Sequence, residues 1–263
     1  MATKQTTSGS YDRVALAYEE RIVPYYTDIG KALVALANPR SGDRILDVGA
    51  GTGIVARLAE PRLRPNGLVV LLDKAPTMLA VARERMPRTE SATPWVSLVE
   101  DSASMSLDSS QFDLVLGQFS FAEESPRAIR EVFRVLRPGG RLVLAVFGPD
   151  RVHDEYHLLS AARLELGAPR LPGHASTGNL LSRVRRAGFV HSSAKQRFFA
   201  GVYADVDAYV AYRDAFPWRT VLARSLWRGF LPAVRSAASA YRDQRGRVII
   251  RRSVTFITAR RPR

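Results

Sequence analysis

Cysteine is missing from all 263 residues. Disulfide stapling, thiolate nucleophiles and cysteine-ligated zinc are therefore excluded, and the composition fits a reducing compartment. No apolar run approaches the roughly 18 residues that cross a bilayer. The opening stretch MATKQTTSGS has no apolar core of a secretory leader. Together these absences predict a soluble, cytoplasmic chain with a disordered leader. Histidine is scarce, and only His153, His157, His174 and His191 offer an imidazole for proton transfer near neutrality. Lysine is nearly absent, so the net charge of +14 is almost wholly guanidinium.

That charge is unevenly spread. Residues 1–133 hold 15 Lys and Arg against 17 Asp and Glu, whereas residues 134–263 hold 24 against 8. A solvated basic face is the ordinary explanation, and arginines in the stretch 242–263 are expected to alternate outward from a strand. An acidic partner, such as an acyl carrier, is the alternative that this asymmetry leaves open.

What the chain does contain is most pointed at RILDVGAGTGIVARLAE, residues 44–60. A short Ile-Leu-Val run reads as a buried strand, and the stretch from Ile54 has helical spacing. Between them Gly49, Gly51 and Gly53 stand at alternate positions, more glycine than a tight turn needs. A ligand cradle at a strand's carboxyl end follows. The dinucleotide fingerprint G-x-G-x-x-G does not fit, because Ile54 stands where its third glycine would be.

The stretch instead resembles the D-x-G-x-G-x-G signature of class I S-adenosylmethionine-dependent methyltransferases, closest to the ubiquinone/menaquinone-biosynthesis-like small-molecule group. Later landmarks fall in the same order. GLVVLLDKAPTML ends its apolar run at Asp73, 22 residues beyond Gly51, where a carboxylate can accept ribose hydroxyls. The resemblance implies cofactor contacts from Asp47, Gly49, Ala50, Gly51, Gly53, Asp73, Lys74, Met78, Asp101, Ser102, Gln118 and Phe119, with Asp101 and Ser102 at the adenine. It also implies an N-terminal segment folded over the cofactor with Tyr18 near its methionine end. The spacing of Tyr11 and Tyr18, seven apart, puts both on one helix face. Gly117-Gln118-Phe119-Ser120 is not the Asn/Asp-Pro-Pro-aromatic run of enzymes that methylate nucleobase amino groups, which counts against nucleic acid.

Strand and helix patterns alternate through the first 150 residues, which predicts a parallel sheet covered on both faces. The resemblance supplies what periodicity cannot, a Rossmann-like doubly wound seven-stranded sheet in the order 3-2-1-4-5-7-6 with strand 7 antiparallel. We expect one domain over 1–263: a helical cap at 1–40, a cofactor-binding core at 41–148, lid insertions at 149–176 and 203–245, and a last strand at 246–260. Pro138-Gly139-Gly140 is expected to stop the preceding helix. Trp218, Trp227, Phe216 and Phe230 in the second insertion are expected to line an acceptor pocket or to pack the lid helices together.

Methyl transfer to oxygen or carbon requires a proton to be removed. His153 and His157, at i and i+4 and hence on one helix face, are the candidate base; they could instead pack, or hold a metal, although Asp154 stands where a zincin would have Glu. No resident metal is expected. His174, His191, Glu123 and Glu124 are further candidates. The sequence thus points to an S-adenosylmethionine-dependent methyltransferase of a small, secondary-metabolism acceptor. A cofactor-assisted cyclase on the same fold and a non-catalytic binding partner are the alternatives.

Overall fold

The computed structural model describes residues 8–120, 126–171, 173, 177–220 and 222–263. Glu123, Glu124 and His174 lie outside them. Seven strands, Arg44–Val48 (β1), Leu68–Asp73 (β2), Trp95–Val99 (β3), Phe112–Gln118 (β4), Leu136–Phe147 (β5), Val190–Tyr203 (β6) and Val248–Arg260 (β7), form one sheet in the order β3-β2-β1-β4-β5-β7-β6. β1 to β5 pair in parallel, and β7 runs antiparallel between β5 and β6. Order and direction agree with the expectation.

Successive residues of the central strands enter opposite cores. Ile45, Leu71 and Leu114 join the core beneath the N-terminal helices, while Leu46, Val70 and Val115 pack with Ile129, Val132 and Leu180 on the other face. Burial on both faces explains why these strands read as continuous apolar runs rather than as alternating ones. The helices on the first face include Ser8–Tyr11 (α1), Ala15–Arg21 (α2), Val23–Ala37 (α3) and Ile54–Ala59 (α4). Pro76–Arg85 (α5) lies against β2 and β3, and Pro126–Val135 (α6) crosses between β4 and β5.

After β5 the chain forms Asp154–Glu165 (α7), Thr177–Arg186 (α8), Val206–Asp214 (α9) and Trp227–Ala238 (α10). α10 packs on both α7 and α9, and α7 meets the amino-terminal half of β7, whereas α8 lies with α6 on the opposite face. β6 is the far edge of the sheet, 14 residues long and largely exposed on its surfaces.

Two local expectations need correcting. Tyr11 and Tyr18 do not share one helix, because the chain turns at residues 12–14 and places them on α1 and α2. Their rings still meet edge-on, with centroids 6.0 Å apart. Nor does Pro138-Gly139-Gly140 stop α6. The helix ends at Val135, and Leu136 already pairs with Phe112 before the turn bulges out; pairing resumes at Leu114 and Arg141. The last helical carbonyls are satisfied from far along the chain, since Arg261 Nη1 donates to Phe133 O and Arg134 O, each at 3.0 Å.

Candidate functional site

The glycine loop after β1 is fixed from both sides. Gly49, Gly51 and Gly53 have φ of +66°, +54° and +82°, a left-handed region that side chains disfavour. A Cβ on Gly49 would also collide with the Ser120 side chain just past β4. The Gly49 and Ala50 N–H groups both donate to Leu72 O, at 2.8 and 3.0 Å. Gly51 N–H donates to Asp73 Oδ2 at 2.8 Å, which binds the loop to the end of β2.

Asp47 is turned inward. It is 1% exposed, and its Oδ2 accepts the Ala56 N–H of α4 at 3.1 Å. Burial pushes its carboxyl up to about 7 despite that hydrogen bond, and nearby Asp73 adds to the rise. Its visible work is to hold the loop against the helix. Asp73 is also raised by burial, against the pull of the Ala75, Gly51 and Lys74 N–H groups. Lys74 and Asp101, expected separately at the nucleoside, form an ion pair at 2.9 Å. Ser102 beside them is buried, and its Oγ has no hydrogen-bond partner among the described residues.

Met78 packs with Ala15, Ala75 and Val81, and Tyr11 and Tyr18 rest on this cluster. Tyr18 thus links α2, the end of β2 and the later helices, where its ring meets Phe216 edge-on at 6.0 Å. Burial raises its phenol far above the ordinary range, with Tyr11, Tyr212 and Asp73 adding to the effect. At the end of β4, Gln118 Nε2 donates to Tyr26 O at 3.1 Å, and its Oε1 is buried without a partner among the described residues. Phe119 has a left-handed φ of +58° and stacks on Phe147 with centroids 4.2 Å apart. A bulky residue held in that conformation is uncommon and marks an over-determined position.

The histidine pair is not what its spacing suggests. His153 precedes α7 rather than lying on it, with φ −114° and ψ 100°. It is 2% exposed, and its Nδ1 accepts the Ser253 N–H at 3.1 Å. In a neutral imidazole the other nitrogen, Nε2, then carries the proton. His157 is half-buried on α7, with its ring against Tyr156. Among the described residues no group of three or more His, Asp or Glu is arranged to hold a metal ion.

Reading for motifs missed a buried charge cluster beside this site. Arg213 Nη1 donates to Glu155 Oε1 at 3.1 Å, and Arg252 Nε lies 3.5 Å from Glu155 Oε2. Arg252 is fully buried, corrects the expectation of outward arginines, and also donates to Tyr203 Oη. Its signal was parity: Ile250, Val254 and Phe256 alternate inward along β7, and Arg252 shares their register. Tyr26 and Tyr212 join hydroxyls at 3.0 Å alongside. Next to the cluster, a cavity of about 170 Å³ opens between α7, α9 and α10. Phe216, Trp218 and Phe230 line it, whereas Trp227 instead donates from its indole to Leu222 O.

Residues 45–140 match the family model described as a methyltransferase domain. Aklanonic acid methyltransferase DauC of Streptomyces sp. (strain C5) is 30% identical over 142 residues, covering 53% of this chain and 64% of that protein. The malonyl-[acyl-carrier protein] O-methyltransferase of Halorhodospira halophila is 31% identical over 206 residues, covering 74% of this chain and 65% of its own length. The chain thus spans a little under two thirds of these curated relatives. Among solved structures, Haemonchus contortus phosphoethanolamine N-methyltransferase 2, in complex with S-adenosyl-L-methionine, superposes with a TM-score of 0.60 at 18% identity. The match covers 96% of this chain and 57% of that one, and it speaks for the fold. With this sheet order and a glycine loop at the end of β1, the chain has the fold of the class I S-adenosylmethionine-dependent methyltransferases, and its residues 45–140 match a methyltransferase domain.

Proposed function

We propose that the chain binds S-adenosylmethionine at the carboxyl ends of β1 to β4 and methylates a small secondary-metabolism acceptor held beneath α7, α9 and α10. The observation that carries this reading is the convergence of the Gly49–Gly53 loop, Asp73 and Asp101 on one end of the sheet, with Tyr18 joining that end to the cavity helices. The residues fit such a ligand: Thr52 Oγ1, Ser102 Oγ and Gln118 Oε1 are buried and have no hydrogen-bond partner among the described residues. Unpaired buried polar atoms are costly, and a polar nucleoside and amino-acid moiety would satisfy them.

In this reading the Asp73 carboxylate accepts the ribose hydroxyls while keeping the Gly51 N–H, because each oxygen has two lone pairs. Asp101 and Ser102 meet the adenine, and Gly49 to Gly53, Gln118 and Phe119 flank the methionine end. Met78 and Tyr18 close the apolar side and exclude water. The cofactor, when bound, supplies a methyl group on a sulfonium, already an excellent leaving group. What the protein adds is alignment of the acceptor in a dry site. His153 is poorly placed as the base, since it is buried and its Nδ1 already accepts the Ser253 N–H. Of the pair, His157 remains the candidate.

The protein is read as cytoplasmic, and among the described residues no helix is long and apolar enough to cross a membrane. An acyl-carrier partner, suggested by the basic second half and by one relative's substrate, would meet the groove lined by Arg130, Arg183 and Arg186 between α6 and α8.

Calorimetric titration with S-adenosylmethionine and S-adenosylhomocysteine, followed by mass analysis of acceptor mixtures, tests the reading. Micromolar binding of both and products heavier by about 14 mass units are expected. Binding with isomerised products of unchanged mass would point to a cyclase. Binding with no product from any acceptor would favour a non-catalytic partner, and no binding at all would sink the reading.

A further inference from the structure

The charge cluster beside the cavity is unbalanced. Two guanidiniums, Arg213 and Arg252, share the single carboxylate of Glu155. Burial would push that carboxyl up, but Arg252 and Arg213 overrule it and hold it ionised below the ordinary range. The other polar groups packed around the pair, Tyr26, Tyr203, Tyr209 and Tyr212, are phenols raised by burial and hence neutral. Tyr25, near Arg252, is likewise a phenol raised by burial, and His153 brings no negative charge. One buried positive charge is left without a counter-charge among the described residues. Such a charge is expensive to keep out of water.

The excess faces the cavity. Arg213 lines it, is 9% exposed, and its Nε has no hydrogen-bond partner among the described residues. The guanidinium lies over the Phe216 ring at 4.3 Å, which leaves its edge available for planar donation. Arg163 stands on the same cavity wall from α7. Its Nε donates to Pro169 O at 2.8 Å, and no carboxylate of the described residues lies within ion-pairing distance. Apart from the two arginines and the Tyr11 phenol the lining is apolar, with Phe216, Trp218, Phe230 and Leu159 among its residues. Engineered apolar cavities of about 150 Å³ accept a single aromatic ring, and this one is of similar size at about 170 Å³.

We propose that this cavity selects an acceptor bearing an anionic oxygen group on an apolar ring, the anion held by Arg213 and Arg163 and the ring by Phe216, Trp218 and Phe230. The inference rests on the methyltransferase reading, since it assigns the substrate class of that same site. The anion supplies the missing counter-charge of the cluster: Arg213 and Arg163 share it, and Arg252 stays paired to Glu155 behind.

Benzoate and benzamide, nearly isosteric and differing in charge, test this by tryptophan fluorescence, Trp218 being in the lining. The full chain saturated with S-adenosylhomocysteine should bind benzoate about tenfold more tightly than benzamide. Arg163→Gln should abolish most of that preference and leave benzamide binding unchanged. Arg213→Gln should do the same and should fold, because it leaves Arg252 and Glu155 as a balanced pair; Arg163→Gln, on a half-buried site, keeps the test decisive if it does not. Equal binding of the two probes, failure of benzoate to bind, or a preference that survives both variants overturns the inference while leaving the methyltransferase reading intact. Failure of S-adenosylhomocysteine itself to bind overturns both.

Discussion

Asp73 and Asp47 flank the same loop but do different work, and single substitutions separate them. If Asp73 accepts ribose hydroxyls, Asp73→Ala should weaken S-adenosylhomocysteine binding by about 1.5–3 kcal/mol, the range for hydrogen bonds to a charged group. Titration calorimetry reads this directly, and unchanged affinity would remove Asp73 from the site. Asp47 acts on stability instead. Its folded-state pKa of about 7 lies above the 3.8 of an ordinary Asp, so the folded protein holds the proton more tightly than the unfolded chain. That stabilisation is complete below about pH 4 and is lost as pH rises through about 7. Asp47→Asn mimics the protonated form and keeps an acceptor for the Ala56 N–H. Its stability relative to the natural chain should therefore improve from pH 5 to pH 8, by about 2.5 kcal/mol, as read by urea melts at each pH. A gap that does not change with pH would refute the assignment. At this scale the glycines and their carboxylates were legible, because a ligand loop concentrates its chemistry in a few neighbouring residues. The Glu155, Arg213 and Arg252 cluster was not, since its members lie up to 97 residues apart and only the packing of α7, α9 and β7 unites them.

At the scale of elements, the core strands were readable from their apolar runs, although β5 begins at Leu136, ahead of the Pro138-Gly139-Gly140 turn and of its own apolar run. Errors arose where a distant group did a local job. Arg261 caps α6, which relieves Pro138-Gly139-Gly140 of that role, and Arg252 faces inward from a strand whose other arginines suggested a solvated surface. The pairing of β6 with β7 depends on a similar long-range fit. Gly201, paired with Ile250, has no side chain where the Arg252 guanidinium lies, and a Cβ there would collide with it. Gly201→Ala should destabilise the fold by about 1–3 kcal/mol, the usual range for overpacking. Shortening the opposing side chain should recover part of the loss: Gly201→Ala with Arg252→Met should melt above Gly201→Ala alone in a thermal scan. A Gly201→Ala chain as stable as the natural one would show that Arg252 moves aside freely.

For the whole molecule, strand order came from resemblance to a family, because hydrophobic period sets which residues face the core but not which strands are neighbours. That order leaves β6 with a neighbour on one side only, so every second residue along its 14 turns its backbone donor and acceptor away from the sheet. Phe198 and Val202 on it are 52% and 45% exposed. A long, partly apolar edge of this kind is a template on which another chain can add a strand. Lys195 and Arg197 stand exposed beside Phe198 and oppose such addition by charge repulsion between copies. Replacing both with threonine keeps the strand propensity and removes the repulsion. The double variant should fold with the natural circular dichroism spectrum yet scatter light and form thioflavin-positive aggregates at concentrations where the natural chain stays clear. Two cations among the many would then have a duty unrelated to any ligand: they keep the open flank of the sheet from becoming the seed of a fibre.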